Sequence, residues 1–539
     1  MSKKILSALA MVMALVMMMS SAMACTTLGI GKLATADGST VITHTCDSTG
    51  DDSRLWIIPA MEGGEGVMRD IVLNGNQYGD WSDYPNTKNY GGGMVVGEMP
   101  QPEDTYQYLH TNYSLINEKG VAMGESTCTP NFTDERGLKC YEVMVQGSTG
   151  IIDCYHAQHV ALERATTARE AVEIIGAMVE EYGWYGFCEN INICDGNETW
   201  IMECYGHDVW CAFRVPDDAM FVCGNRARIN YVDLEDKENY LCSENIISFA
   251  IENGLWSEDN IAEFSPADAY SYNTNPYAYR REWRAMNLVC PSMELDPESP
   301  VQPLLCYPEK KLTVADIRAI NSDYYQGTPY DVTLTPEAGP FGNVLTDKLK
   351  ERTINLYRAT YHTIATVNAN LPEEARSLVW IGWGAADSSY SIPLWASMTE
   401  LPEILVNGHR YTTFDRDSAW WISQYVQQTA SQNYESAIKD IHAARDPKME
   451  EQYAEVASIQ AAAAALVEAG NKEAAVKLIT DYAYNNAIEW HEFWTELGDK
   501  LYAKYMFNRV DMNEAKYPEW WTNILESAPD KPVEEVPAA

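Results

Sequence analysis

The run Ala22-Met23-Ala24-Cys25-Thr26-Thr27-Leu28-Gly29-Ile30-Gly31 constrains this chain more than any other stretch, because it sets a cysteine at the seam between a leader and a strand. Residues 1–24 open with Lys3 and Lys4, run apolar from Ile5 to Met19, and finish with small residues at Ala22 and Ala24. That is the pattern of a secretion signal cut after A-x-A. The apolar run falls short of the ~20 residues a membrane span needs. Cleavage after Ala24 would leave Cys25 leading the mature chain, with a thiol and a free α-amine on one carbon. Such a residue is a nucleophile carrying its own base.

Two other readings of Cys25 stay open on position alone. One is a lipid-acylation site, which would make the chain a surface-anchored binding protein without chemistry of its own. Against it, Ala22 stands where lipoprotein signals favour leucine, and no Gly/Ser tether follows. The other is an ordinary structural cysteine.

Downstream, Cys25–Gly31 and Ser39–His44 read as a hairpin about the Asp37-Gly38 turn. Residues 61–110, rich in Gly, Asn and Tyr, read as loops over a sheet, with the aromatic run Trp81–Tyr90 able to shape pockets. Thr167-Ala168-Arg169-Glu170 is a capping box opening a helix to Gly183. Strands are expected at Thr199–Tyr205, Val209–Val215, Met220–Cys223 and Leu378–Trp383, and a helix over Asn343–Thr366. From Ser418 the pattern turns helical. Val476, Ile479, Ala483, Ala487, Trp490, Trp494, Leu497 and Leu501 step by three and four along one apolar face. Strands, helices and strands again give an α+β class. The Pro- and Glu-rich tail 528–539 reads as disordered.

A formal net charge of −40 argues against nucleic acid or an anionic membrane as partner. Thirteen cysteines leave twelve if Cys25 stays free, and Cys188, Cys194, Cys204, Cys211 and Cys223 crowd together, so some disulfides are expected.

Most catalytic signatures are absent. His491-Glu492 lacks the second histidine of HExxH. Cys154, His156 and His159 lack a partner motif and read as structural. No P-loop, GxGxxG or GxSxG stands in context. No metal or cofactor motif thus stands out (cofactors: none), and Cys25 is the most specific chemical signal. For a nucleophile at Cys25, Asp47 at the end of the next strand is the nearest acid able to reach the amine. Asn225, after Cys223-Gly224, is a candidate donor to an oxyanion. Turn capping explains either residue equally well.

The opening CTTLGIGKLATADGST (Cys25–Thr40) resembles that of bacterial dipeptidase A-type cysteine peptidases. These are N-terminal-nucleophile hydrolases akin to penicillin V acylase and bile salt hydrolase. Similar blocks follow at Asn117–Glu125, Leu162–Ala171, Val215–Asp218, Tyr325–Asp331, Gly339–Gly342 and Leu501–Tyr505. The resemblance implies a four-layer αββα sandwich over residues 25–417, with a helical region, 418–527, packed on it. It implies metal-independent hydrolysis of dipeptides, with Cys25 as nucleophile and base, Asp47 beside the amine and Asn225 at the oxyanion. Where many members have Arg-Asn-Glu-Asp, this chain reads His44-Thr45-Cys46-Asp47, so His44 takes the place of an arginine and is expected to touch substrate. The expectation is an exported bacterial enzyme acting on small peptides. An amidase or acylase of the same fold is the alternative, and the oligomeric state, homo-oligomer included, stays open.

Overall fold

The computed structural model describes residues 25–48, 51–73, 94–408, 413–510 and 513–528. The expected leader 1–24, the aromatic run 81–90 and all of the tail but Ala528 lie outside them.

The chain begins with a hairpin of β1 (Thr26–Ile30) and β2 (Thr40–Cys46), followed by β3 (Trp56–Ile58). A separate ribbon of β4 (Met68–Leu73) and β5 (Met94–Pro100) replaces part of the loop expected over 61–110. Next come β6 (Tyr108–His110), β7 (Ser114–Asn117) and β8 (Ala122–Cys128). Two helices, Cys154–Arg164 and Ala168–Tyr182, lead into β9 (Cys188–Cys194), β10 (Thr199–Gly206), β11 (Val209–Val215), β12 (Met220–Cys223) and β13 (Tyr240–Cys242). The helix Pro276–Val289 precedes β14 (Leu305–Cys306), and β15 (Tyr361–Val367), β16 (Ser377–Trp383) and β17 (Ile392–Trp395) end the strands that matter here.

Two antiparallel sheets result. One runs β14-β12-β1-β2-β15-β16-β17 and the other β13-β11-β10-β9-β8-β7-β6-β3. Strands β1, β2, β8, β9, β10, β15 and β16 are buried along their whole length, as strands covered on both faces must be. The sheets meet closely where a side chain is missing. A Cβ on Gly124 would lie 2.8 Å from Thr43 O and 3.2 Å from His44 Cβ. This approach brings β8 directly against β2.

Helix Ala168–Tyr182 covers the eight-stranded sheet through Val172, Ile175 and Val179. Its cap forms as expected, with Glu170 N donating to Thr167 Oγ1 at 3.1 Å. The Glu170 carboxylate, however, reaches back to Thr166 N. Helices Ala419–Ala430, Tyr434–Glu468 and Lys472–Tyr505 form the C-terminal region, the first and last of them packing on the seven-stranded sheet. Trp490 stacks on Tyr390 with centroids 5.1 Å apart, a pairing worth ~0.5–1.5 kcal/mol beyond the area it buries. No helix among the described residues is long and apolar enough to cross a membrane.

Two expectations are corrected. Residues 343–360 form no helix, and β15 begins at Tyr361. The run Thr360–Val367 is rich in β-branched residues that suit a pleated, buried strand. The segment before it is held by tertiary bonds, Asn355 N donating to Asp323 O and Tyr325 Oη to Arg352 O. The thirteen cysteines are all free thiols. Even the Cys128–Cys223 sulfurs, on facing strands, stay 3.8 Å apart, well beyond the ~2.05 Å of a disulfide.

Candidate active site

Cys25 sits at the head of β1, only 4% exposed, between the two sheets. The β1–β2 register puts Thr26 opposite Thr45 and Thr27 opposite His44. From the facing sheet, β8 delivers Glu125. The Cys25 Sγ–H donates to Glu125 Oε1 at 3.3 Å. His44 Nε2 lies 3.0 Å from the same oxygen, yet neither ring nitrogen meets hydrogen-bond alignment with any partner. The imidazole is edge-on to Tyr113 and Tyr361, at 5.2 and 5.6 Å between centroids. His44, expected to touch substrate, is 1% exposed, and a ring nitrogen lies within 4.8 Å of Cys25 Sγ.

Buried charges dominate the electrostatics. Glu125 and Glu189 share a hydrogen bond on adjacent strands. Burial opposes the Glu125 charge, but the hydrogen bond from Glu189 and the nearby His44 imidazole prevail and hold its carboxyl below the ordinary range. Burial and the Glu125 charge push Glu189 well above that range, so the pair keeps one proton. Burial, then the charges of Glu125 and Asp47, raise the Cys25 thiol well above its ordinary value, although the Asp47 backbone N–H favours the thiolate.

Asp47 is wholly buried at the end of β2. Its Oδ2 accepts from Thr45 Oγ1 at 3.0 Å and from Arg352 Nη2, while Arg358 Nη1 donates to its backbone oxygen at 2.7 Å. Burial outweighs these arginines and lifts its carboxyl above the usual value. Its Oδ1 has no hydrogen-bond partner. In the full-length chain the Cys25 nitrogen is part of the peptide bond to Ala24.

Asn225 follows β12 with φ +69°, a left-handed conformation that Asn tolerates better than most side chains. Gly224 before it permits close passage of the helix Pro276–Val289, since a Cβ there would meet Ala278 O at 2.5 Å. Asn225 Nδ2 donates to Ser126 Oγ at 3.2 Å and to Thr127 O at 2.9 Å, and Ser126 Oγ donates onward to Cys25 O at 3.3 Å.

Arg281 completes the arrangement. From helix Pro276–Val289 its Nη1 donates to Cys25 O and Thr26 Oγ1, both at 2.8 Å. Its Nη2 donates to Gly224 O at 2.6 Å and to Asn225 Oδ1 at 2.8 Å. Burial, then the neighbouring Arg352 charge, draws its pKa down to about 10, so it stays cationic. One guanidinium thus ties the two candidate residues Cys25 and Asn225 together.

The sequence reading missed Arg281, Arg352, Glu125 and Glu189. An arginine amid helical polar residues looks like any solvated one, and only burial distinguishes it. Among the described residues the one group of ligand atoms able to hold a metal is Cys25 Sγ, His44 Nε2 and Glu125 Oε1, all within 4.8 Å of one another. The sequence neighbours Cys154, His156 and His159 do not converge. His159 Nδ1 is 2.8 Å from Tyr108 Oη, and His156 Nε2 meets Met99 Sδ at 3.3 Å.

Comparison with known proteins places this geometry in context. Residues 24–446 match the sequence profile of peptidase family C69. The dipeptidase of Bifidobacterium longum is 27% identical over 441 residues, covering 75% of this chain and 76% of the relative. A probable dipeptidase A of Streptococcus pyogenes is 25% identical over 434 residues, covering 78% and 85%. Dipeptidase A of Lactobacillus helveticus is 25% identical over 423 residues, covering 76% and 82%.

Proposed function

The chain belongs to peptidase family C69, and from that membership we propose that it is an exported cysteine dipeptidase whose nucleophile is the Cys25 thiol. The observation that carries this reading is the convergence on one residue. Cys25 heads a central strand, with Asp47 beside it and Asn225 linked to it through Arg281. Relatives named as dipeptidases over three quarters of the chain support small peptides as substrates. Two facing sheets with helices on their outer sides support the αββα sandwich of N-terminal-nucleophile hydrolases.

The chemistry follows from the surroundings. Removal of residues 1–24 by a signal peptidase frees the Cys25 α-amine, whose pKa of ~7.7–8.0 suits proton transfer near neutrality. Asp47 Oδ1, buried and unbonded in the full-length chain, offers that amine an acceptor. A thiol kept protonated by burial and by Glu125 gives its proton to the amine as Sγ attacks the scissile carbonyl. The tetrahedral oxyanion accepts a hydrogen bond from Asn225 Nδ2, in place of that group's bond to Ser126 or Thr127. The amine returns the proton to the departing amino group, leaving a thioester that water then hydrolyses. No step calls on a metal.

Sequencing the mature N-terminus and assaying Cys25→Ala on a dipeptide panel tests the proposal. A mature chain beginning at Cys25, and loss of hydrolysis in the variant, are expected. Hydrolysis surviving in Cys25→Ala would remove the nucleophile assignment.

A further inference from the structure

The Cys25–His44–Glu125 cluster contains more ligand chemistry than a thiol nucleophile needs. Three different donor types meet there: a sulfur, an imidazole nitrogen and a carboxylate oxygen. A tetrahedral zinc ion with Zn–S near 2.3 Å and Zn–N or Zn–O near 2.0–2.1 Å requires ligand atoms roughly 3.3–3.6 Å apart. Here Sγ and Oε1 are 3.3 Å apart and Nε2 and Oε1 3.0 Å, so the carboxylate already stands close to a polyhedron edge from each partner.

The imidazole is the second observation. His44 is 1% exposed, and neither of its nitrogens has an aligned hydrogen-bond partner. A buried imidazole normally satisfies both nitrogens, because leaving a polar atom unpaired costs ~1–3 kcal/mol. With Nε2 next to a carboxylate oxygen and a sulfur, a cation between the three groups would satisfy the nitrogen and draw in the other two donors.

Charge points the same way. One thiolate and one carboxylate would neutralise a divalent ion in a site of low dielectric, and Sγ and Oε1 already stand 3.3 Å apart. Glu189, hydrogen-bonded to Glu125 from the adjacent strand, would orient the carboxylate, as outer partners do at metal sites.

We propose that Cys25 Sγ, His44 Nε2 and Glu125 Oε1 form a three-ligand site for a thiophilic divalent cation of the Zn²⁺ class, and that its occupancy blocks the nucleophile. On binding, the Cys25 S–H bond breaks, its proton passes to solvent, and the sulfur lone pair forms the bond to the ion. His44 gives the Nε2 lone pair, and Glu125 one carboxylate oxygen. A fourth position is left for water. No electron changes hands. The ion is thus an inhibitor that competes with substrate for Sγ, and this second half of the proposal rests on the nucleophile reading above.

The test uses the purified, reduced protein freed of metal with a chelator. Co²⁺ serves as the spectroscopic probe and Zn²⁺ as the competing ion. Stoichiometric Co²⁺ binding is expected, with a thiolate-to-cobalt charge-transfer band and visible bands of tetrahedral intensity, both erased by Zn²⁺. Cys25→Ala should abolish the charge-transfer band, and His44→Ala and Glu125→Gln should each weaken binding by at least ~10-fold. Circular dichroism checks that each variant folds. Protection of wild-type Cys25 from alkylation by Zn²⁺ gives a readout that needs no variant. Absence of the band, a band indifferent to His44→Ala, or unprotected Cys25 would each overturn the site. Dipeptide hydrolysis lost with Zn²⁺ and restored by chelator supports the block. Binding without effect on hydrolysis would leave the site standing and remove Cys25 as nucleophile. Hydrolysis that requires the ion would overturn the inhibitory role.

Discussion

Arg281 donates a 2.8 Å hydrogen bond to the carbonyl oxygen of Cys25 across 256 residues of sequence. The same guanidinium holds Asn225 Oδ1, so a helix outside both sheets fixes the separation of the two residues that the proposed mechanism sets on one carbonyl group. Positioning of this kind is exacting, because a misplacement of ~1 Å can cost ~100-fold in rate.

Replacing Arg281 should therefore harm both fold and rate. Arg281→Ala leaves Gly224 O and Asn225 Oδ1 without the Arg281 donor and Cys25 O with Ser126 Oγ alone, in a dry site, and a loss of about 3 kcal/mol or more is expected. Arg281→Lys keeps the charge but not the planar fork. It should retain most stability while kcat drops at least ~10-fold. Urea midpoints and dipeptide kinetics measured together separate the two effects, and an Arg281→Lys enzyme of full activity would contradict the positioning role.

The left-handed backbone at Asn225 allows its amide to be tested apart from its conformation. Asn225→Gly accepts φ +69° without strain, whereas Asn225→Ala does not. If the amide serves the oxyanion, both variants should lose ~10²–10³ in kcat. Only the alanine variant adds a conformational penalty, read as a lower unfolding midpoint. Equal stabilities would remove the strain argument, and an unimpaired glycine variant would remove the oxyanion role.

Acid sensitivity follows from two buried imidazoles. Burial drives the pKa of His110 down to about 3, and burial followed by the Arg318 charge does the same for His362. His362 is held neutral between Gly384 O at 3.1 Å and Ser391 Oγ at 3.2 Å. Below the unfolded-state value of ~6.5 the unfolded chain takes up protons that the fold refuses. Stability should thus fall as pH drops from ~6.5 toward ~3, by up to ~1.4 kcal/mol per pH unit for each histidine. Urea titrations at several pH values should show a shallower slope for His362→Gln, and an unchanged slope would exclude it as a contributor.

The contact between the sheets is tight enough to register one carbon atom. Gly124→Ala would set its Cβ 2.8 Å from Thr43 O and 2.9 Å from Ile42 Cγ2. Backbone cannot swing aside as a side-chain tip can, so a loss of ~1–3 kcal/mol is expected. Because His44 and Glu125 straddle this contact, Cys25 alkylation should change with it. A neutral Gly124→Ala in thermal unfolding would show the sheets to be more compliant than their geometry implies.

Much of this was legible in the sequence wherever the signal is local. The hairpin at Cys25, the cap at Thr167, the strands from Thr199 to Cys223 and the apolar face ending at Leu501 all follow from period and turn chemistry. The helix expected from Asn343 was wrong because Leu345, Leu349 and Tyr357 mimic helical spacing while long-range bonds hold the segment irregular. Arg352, which meets Asp47, lies inside that misread segment. Glu125 gave no signal either, since its significance arises only when β8 faces β2. Candidates close to Cys25 in sequence could be named, whereas partners set by sheet topology could not.

The strand carrying Cys25 lies inside its sheet, with β12 on one flank and β2 on the other, and β2 is closed in turn by β15. A growing polypeptide therefore exposes its sulfur first and assembles what surrounds it last. Any fragment ending before Val367 has the proposed nucleophile but lacks a finished cradle. Such an order in time would keep a nascent hydrolase inert until hundreds of later residues have arrived.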